Sequence, residues 1–116
     1  MKKLLLAAIV SLTTISSVAL AEIKVGIILG FTGPIETLTP AMRDSAKLAF
    51  AEVSASGALL GGETITPLIG DSTCVDSDAA VAAAELIVSD GAVAIMGADC
   101  SGVTGAIVTN VAVPNG

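Results

Sequence analysis

The chain contains no histidine, tryptophan or tyrosine, and only two phenylalanines among its 116 residues. Without histidine it lacks the most versatile general base and the commonest zinc ligand, and it has neither a GxSxG nor a GK[ST] motif. We therefore expect no enzyme activity, no metal site and no cofactor. The carboxylates of Asp71, Asp76, Asp78 and Asp99 are expected to cap helices or face solvent rather than to form an acid–base pair.

Basic residues are also few. Five lysines and arginines stand against eleven aspartates and glutamates, which gives a net charge of −6. A nucleic-acid partner would require clusters of positive charge to neutralise phosphates, so we expect none. An acidic surface of this kind favours solubility.

The first 21 residues have the pattern of a secretory leader. Lys2 and Lys3 follow the initiating methionine, residues 4–10 are apolar, and Ala19–Leu20–Ala21 gives the small-x-small motif that signal peptidase cleaves. The apolar run is shorter than the roughly 20 residues that a membrane-spanning helix needs. Residues 1–21 are therefore predicted to be a cleaved signal peptide, with the mature protein exported to the periplasm.

Beyond the leader, short apolar strands alternate with helical patterns. The predicted elements are a strand over 22–29, a helix capped by Thr39 with Pro40 in its first turn and stopped by Gly57, a strand over 64–69, a helix capped by Asp76 or Ser77 and ending near Ser89, a strand over 92–96, and a helix from about Ser101. This alternation predicts an α/β fold with a parallel sheet in the order 2-1-3 and flanking helices. Pro67 suggests that the second strand lies at a sheet edge.

Ligands bind open α/β sheets at the carboxyl ends of the strands, where the strand order reverses. In the order 2-1-3, the loops after the first and third strands face each other at that point. Residues 30–38 and 99–104 are therefore predicted to line one crevice.

The only two cysteines, Cys74 and Cys100, each follow a predicted strand. They are interpreted either as a structural disulfide or as reactive thiols, and export to an oxidising compartment favours the disulfide. Because the second and third strands are not neighbours, their loops would have to lean over the end of the first strand to bring the cysteines within bonding distance.

Ser101 has two compatible interpretations, as the N-cap of the third helix and as a ligand contact. A helix N-terminus offers free N–H groups and a partial positive charge, which suit a carboxylate. Ser101, Gly102, Val103 and Thr104 would then supply hydroxyls and backbone donors.

A dinucleotide site is a weaker interpretation of the glycines after the first strand. Gly26, Gly30 and Gly33 are spaced GxxxGxxG rather than GxGxxG, and the helix begins several residues too late.

Four segments carry a family resemblance: EIKVGIILGFTGP at 22–34, AEVSASGALLGG at 51–62, DSTCVDSDAA at 71–80 and VSDGAVAIMGADCSGVT at 88–104. Together they resemble the leucine/isoleucine/valine-binding type of periplasmic solute-binding protein, the receptor of an ABC importer. The resemblance implies two α/β lobes that close on a branched-chain or related amino acid, with a membrane permease as partner. Residues 22–116 would form part of the N-terminal lobe, and the hinge and second lobe would lie beyond Gly116.

The resemblance also implies roles for single residues. Cys74 and Cys100 would be bridged, and Ser101 would contact the α-amino and α-carboxylate end of the ligand. Leu38 lies where the family often has an aromatic side chain near the ligand. Two alternatives remain open: a ligand-sensing domain of a signalling receptor with the same lobes, and an exported α/β enzyme, which the missing catalytic base disfavours.

Overall fold

The computed structural model describes residues 22–116, so the predicted signal peptide, residues 1–21, lies outside the described part of the chain. The elements in chain order are β1 (Glu22–Leu29), α1 (Thr39–Ser56), β2 (Thr64–Asp71), α2 (Ser77–Ser89), β3 (Ala92–Gly97), α3 (Ser101–Ile107), a π-helical turn (Val108–Ala112) and the short α4 (Val113–Asn115). The predicted alternation of strands and helices is confirmed.

The three strands form one parallel sheet in the order β2-β1-β3, as predicted. Leu29 pairs with Asp71 and Ile28 with Gly97, so the carboxyl ends of all three strands lie at the same edge of the sheet. Pro67 pairs with Val25 in β2. Because β2 is an edge strand of the described sheet, the missing N–H of Pro67 can face outward without breaking a ladder.

The main core lies between the sheet and α2 with α3. Its buried members are Ile28, Ala80, Ala84, Ile87, Val103, Ile107 and Val111. Ile87 fits into a notch left by two glycines, since a β-carbon added at Gly26 would lie 2.6 Å from Ile87 Cγ2 and one at Gly70 would lie 2.9 Å from Ile87 Cδ1. Close packing of α2 on the sheet therefore depends on the absence of side chains at these positions.

Right-handed crossovers place α1 on the opposite face of the sheet. It ends at Gly57, whose backbone is left-handed (φ 67°), as predicted for a helix stop. The prediction that Thr39 caps α1 is wrong. Leu38 occupies the cap position without a side-chain bond, and the Thr39 hydroxyl instead donates to the carbonyl of Gly30 at 2.9 Å from a fully buried position.

The other two helix starts differ from each other. Asp76 caps α2, because its Oδ1 accepts the N–H groups of Asp78 and Ala79, each at 3.0 Å. The prediction that Ser101 caps α3 is wrong, since Cys100 occupies that position and no side chain bonds there. Cys100 has extended backbone (φ −115°, ψ 130°), so the helix begins one residue later, at Ser101.

Candidate functional site

Three loops meet at the carboxyl ends of the strands: residues 30–38 after β1, residues 72–76 after β2 and residues 98–100 after β3. We call this region the crevice edge. Side-chain bonds that cross between the loops define its shape.

The disulfide between Cys74 and Cys100 joins the loops after β2 and β3, with the two α-carbons 5.2 Å apart. It also passes close to the end of the central strand, since a β-carbon added at Gly30 would lie 3.3 Å from Cys74 Cβ. The predicted pairing and the predicted leaning of the two loops over β1 are both confirmed. The interpretation of the cysteines as reactive thiols is wrong, because no thiol is free in the described chain.

The carboxylate of Asp71, the last residue of β2, accepts four hydrogen bonds. Three come from the backbone N–H groups of Phe31 (2.9 Å), Thr32 (3.3 Å) and Thr73 (2.8 Å), and the fourth from the Thr32 hydroxyl at 2.6 Å. Burial of the carboxylate opposes ionisation and is the largest single influence on its pKa. The bonds from Thr32, Thr73 and Phe31 together outweigh it, so the pKa of Asp71 is lowered.

Asp99 makes a second connection between the loops. Its Oδ2 accepts the N–H of Gly30 at 2.8 Å, and its Oδ1 accepts the hydroxyl of the fully buried Ser72 at 3.3 Å. Gly30 thus donates to Asp99 through its N–H and accepts from Thr39 through its carbonyl. Gly30 therefore connects the loop after β1, by hydrogen bonds, both to the loop after β3 and to the start of α1.

The predicted ligand residues lie in two places, Leu38 within the crevice edge and the others in α3, directly after it. Ser101 and Gly102 are exposed in the first turn of α3, where the first N–H to pair along the helix is that of Thr104, with Cys100 O at 3.0 Å. The Thr104 hydroxyl donates to the carbonyls of Ala98 and Cys100, both at 2.9 Å, so its proton is already engaged. Leu38 is 63% exposed at the end of the loop after β1.

The sequence model of the periplasmic binding protein family matches residues 22–115, which is nearly all of the chain beyond the predicted leader. The chain belongs to the periplasmic binding protein family. This family binds solutes and is not an enzyme family, and it suggests a periplasmic location. A search of curated proteins gave no match to the sequence.

The sequence predicted that the loops after β1 and β3 of this periplasmic binding protein face each other. The Gly30–Asp99 bond joins these two loops. Sequence reasoning missed the parts played by Asp71 and Asp99. Both were expected to cap helices or face solvent, whereas their carboxylates accept hydrogen bonds from backbone N–H groups of the loop after β1. Nothing in their local sequence separates them from Asp76, which does cap a helix, because their partners are 40 and 69 positions away.

An aromatic and a cation also lie near the crevice edge. The guanidinium carbon of Arg43, in α1, lies 5.7 Å from the centre of the Phe31 ring, which is within the range of a cation–π contact. Arg43 also donates to Asp44 at 2.8 Å on the surface. The side chain of Phe31 therefore has a partner on α1, while its backbone is bonded to Asp71.

A cavity lies elsewhere in the described chain. A groove of about 440 Å³ runs along the outer edge of β3, between that strand and the end of the π-helical turn, and its walls include Val93, Ile95, Ile107 and Val108. Its walls are mostly apolar, and of the predicted ligand residues only Thr104 borders it. A polar or charged head group would find few partners among these walls.

Residues 22–116 contain neither a candidate membrane-spanning helix nor a candidate metal cluster. None of the helices in this part of the chain is both long and apolar enough to cross a membrane. These residues also contain no group of three or more metal-binding side chains.

Proposed function

We propose that the chain is the N-terminal part of an extracytoplasmic receptor of an ABC importer and that its solute is a branched-chain or related amino acid. The observation that carries this proposal is the Gly30–Asp99 bond, which joins loop 30–38 to the loop that leads into the exposed first turn of α3. On this view the protein works by binding, and closure of a second lobe on the solute would signal to a membrane permease.

The first turn of α3 is the proposed seat of the solute carboxylate. The N–H groups of Ser101, Gly102 and Val103 precede the first helical hydrogen bond. Ser101 and Gly102 are exposed, whereas Val103 is buried, and exposed N–H groups at a helix start favour an anion. α3 continues without a break into the π-helical turn, which extends the aligned peptide dipoles. The Ser101 hydroxyl is exposed and would add a further donor.

Leu38 and Thr104 have more limited proposed roles. Leu38 is exposed and apolar, so it would contact the hydrocarbon part of the solute. Since the Thr104 proton is shared between two carbonyls, its hydroxyl would reach the solute only as an acceptor, for example from the α-ammonium group.

An NMR titration of residues 22–116 with L-leucine tests this function. One lobe supplies only one wall of the site, so we expect weak binding, with a Kd on the order of 1 mM or above and no measurable heat by calorimetry. Amide shifts should concentrate at Ser101, Gly102 and Val103. Leucinamide, which lacks the carboxylate, should produce much smaller shifts at the same residues.

Ser101→Ala should weaken the response, because it removes one donor to the carboxylate. The matched control is Ser77→Ala, since Ser77 is likewise the exposed first residue of a helix but lies in α2, at the cap made by Asp76. Equal responses to leucine and leucinamide, or leucine shifts spread along the groove beside β3, would contradict the proposed function. Micromolar binding to this single lobe would show that a second wall is not needed.

A further inference from the structure

Loop 30–38 is closed on itself at Gly30. The Gly30 carbonyl accepts the hydroxyl of Thr39, the first residue of α1, so the two ends of the loop meet. A side chain at this junction would be tightly packed, because a β-carbon on Gly30 would lie 3.1 Å from Ile35 Cγ1 and 3.3 Å from Cys74 Cβ. The loop is thus a compact unit that has to be oriented as a whole.

The disulfide does not hold this loop directly. Cys74 and Cys100 link the loops after β2 and β3 to each other. The hydrogen bonds that attach loop 30–38 to those two loops go mainly to carboxylates: Phe31 and Thr32 donate to Asp71, and Gly30 donates to Asp99. Two different kinds of connection therefore assemble the crevice edge.

We infer that Asp71 is a positioning residue of the crevice, whose carboxylate orients loop 30–38, and with it Leu38, against the disulfide-linked loops, with Asp99 as a secondary support at Gly30. Asp71 makes this connection at the start of the loop through Phe31 and Thr32. It also accepts the N–H of Thr73, next to the disulfide, so one carboxylate joins both sides. Charged acceptors form stronger hydrogen bonds than neutral ones, which suits Asp71 to this role.

The inference rests on the proposed function for its claim that the loop forms a wall of a solute site. A wall that is already oriented before the solute arrives does not have to be ordered at the expense of binding free energy. Asp71 would act on the solute only through Leu38 and the loop backbone, without touching it.

Amide hydrogen exchange of residues 22–116, measured by NMR without solute, tests the positioning. Asp71→Ala should lower the protection of the Phe31, Thr32 and Thr73 amides by about tenfold or more, since it removes hydrogen bonds to a charged group. The Ile65 amide is the internal reference, because Ser54 holds it at 2.9 Å at the other end of the sheet. Its protection should not change.

Two matched variants separate positioning from a general loss of stability. Asp71→Asn keeps one carbonyl acceptor for the amides, so its loss of protection should be clearly smaller than that of Asp71→Ala. Asp78→Ala removes the same charge from the exposed start of α2 and should leave all these amides unchanged. If Asp71→Ala does not fold, Asp71→Asn and Thr32→Val carry the test, and both should affect loop 30–38 and spare Ile65.

A leucine titration of Asp71→Ala tests whether the orientation of loop 30–38 matters for solute binding. In Asp71→Ala the leucine-induced shifts at Ser101 and Gly102 should persist, while any shift at Leu38 should be lost. Wild-type protection of Phe31 and Thr32 in Asp71→Ala, an equal loss at Ile65, or no rescue by asparagine would each overturn the inference. A loop that loosens as expected in a chain that never responds to leucine would instead refute the proposed function and leave the orienting of loop 30–38 by Asp71 in place.

Discussion

The two ends of the sheet are built differently. At the amino ends of the strands, short turns hold the chain mainly through local backbone bonds, such as those from Gly62 and Glu63 to Leu59 O at 2.7 and 3.0 Å. One exposed side-chain bond there is long-range, from Lys24 Nζ to Asp90 O at 2.9 Å. At the carboxyl ends, a disulfide and two carboxylates connect residues 26 to 69 positions apart. The end with the proposed solute site therefore depends on long-range side-chain contacts, which fix the relative positions of three loops more tightly than separate turns can.

Substitutions at the crevice edge should therefore lower the free energy of unfolding more than substitutions at the opposite end of the sheet. The largest expected effect comes from replacing Cys74 and Cys100 by serine. Loss of a cross-link between residues 26 apart should lower the free energy of unfolding by about 3.5 kcal/mol in the chain-entropy model. Urea unfolding of oxidised wild type and the double variant measures the difference, and a loss below about 1 kcal/mol would contradict this view of the disulfide.

Gly97→Ala should have the next largest effect. Gly97 ends β3 with φ 133°, a conformation that suits glycine, and a β-carbon there would clash with the carbonyl oxygen of Ile28. We expect a loss of about 3 kcal/mol from backbone strain and overpacking together. Gly102→Ala is the control, since no atom lies within 4 Å of its added β-carbon and alanine favours a helix. Similar losses in both variants would argue against the tight contact at the end of β3.

Acid should weaken the crevice edge through Asp71. Its pKa is lowered in the folded chain, so its stabilising contribution is fully present above the pKa of an unfolded aspartate, about 3.9, and is lost as the pH falls through the folded pKa. Asp71→Asn should therefore cost about 1.5 kcal/mol near pH 7 and progressively less below pH 4. Urea unfolding at several pH values measures this difference, and a cost that does not change with pH would contradict it.

The smallest effect is expected at the opposite end of the sheet. Gly57→Ala replaces the left-handed residue that ends α1, but its added β-carbon would meet no atom within 4 Å. Only backbone strain remains, so we expect a loss of about 1 kcal/mol. Thermal unfolding monitored by circular dichroism measures it. A loss larger than that of the disulfide variant would reverse the proposed ranking of the two ends.

The pattern of strands and helices was predictable because it depends on neighbouring residues. Apolar runs such as that in β1, a cap such as Asp76 and a stop such as Gly57 act within one or two turns of chain. The order of the strands was predicted from the common topology of wound parallel sheets, since crossover handedness alone is compatible with several orders. At Thr39 and Ser101 the prediction failed because the local pattern does not show what each residue contacts: the Thr39 hydroxyl bonds the Gly30 carbonyl, and the disulfide-linked Cys100 occupies the cap position before Ser101.

The amino-acid sequence by itself determined the α/β class, through local periodicity, and the pairing of the two cysteines, since each has only one possible partner in the chain. The sheet order and the crevice edge were predicted from the general topology of wound parallel sheets. The tertiary structure alone decided that Asp71 and Asp99 hold loop 30–38, that Thr39 closes this loop on Gly30, and that Ile87 packs between two glycines. The physical reason is that hydrogen bonds and close packing require a defined distance and direction in space, and the separation of two residues along the chain specifies neither.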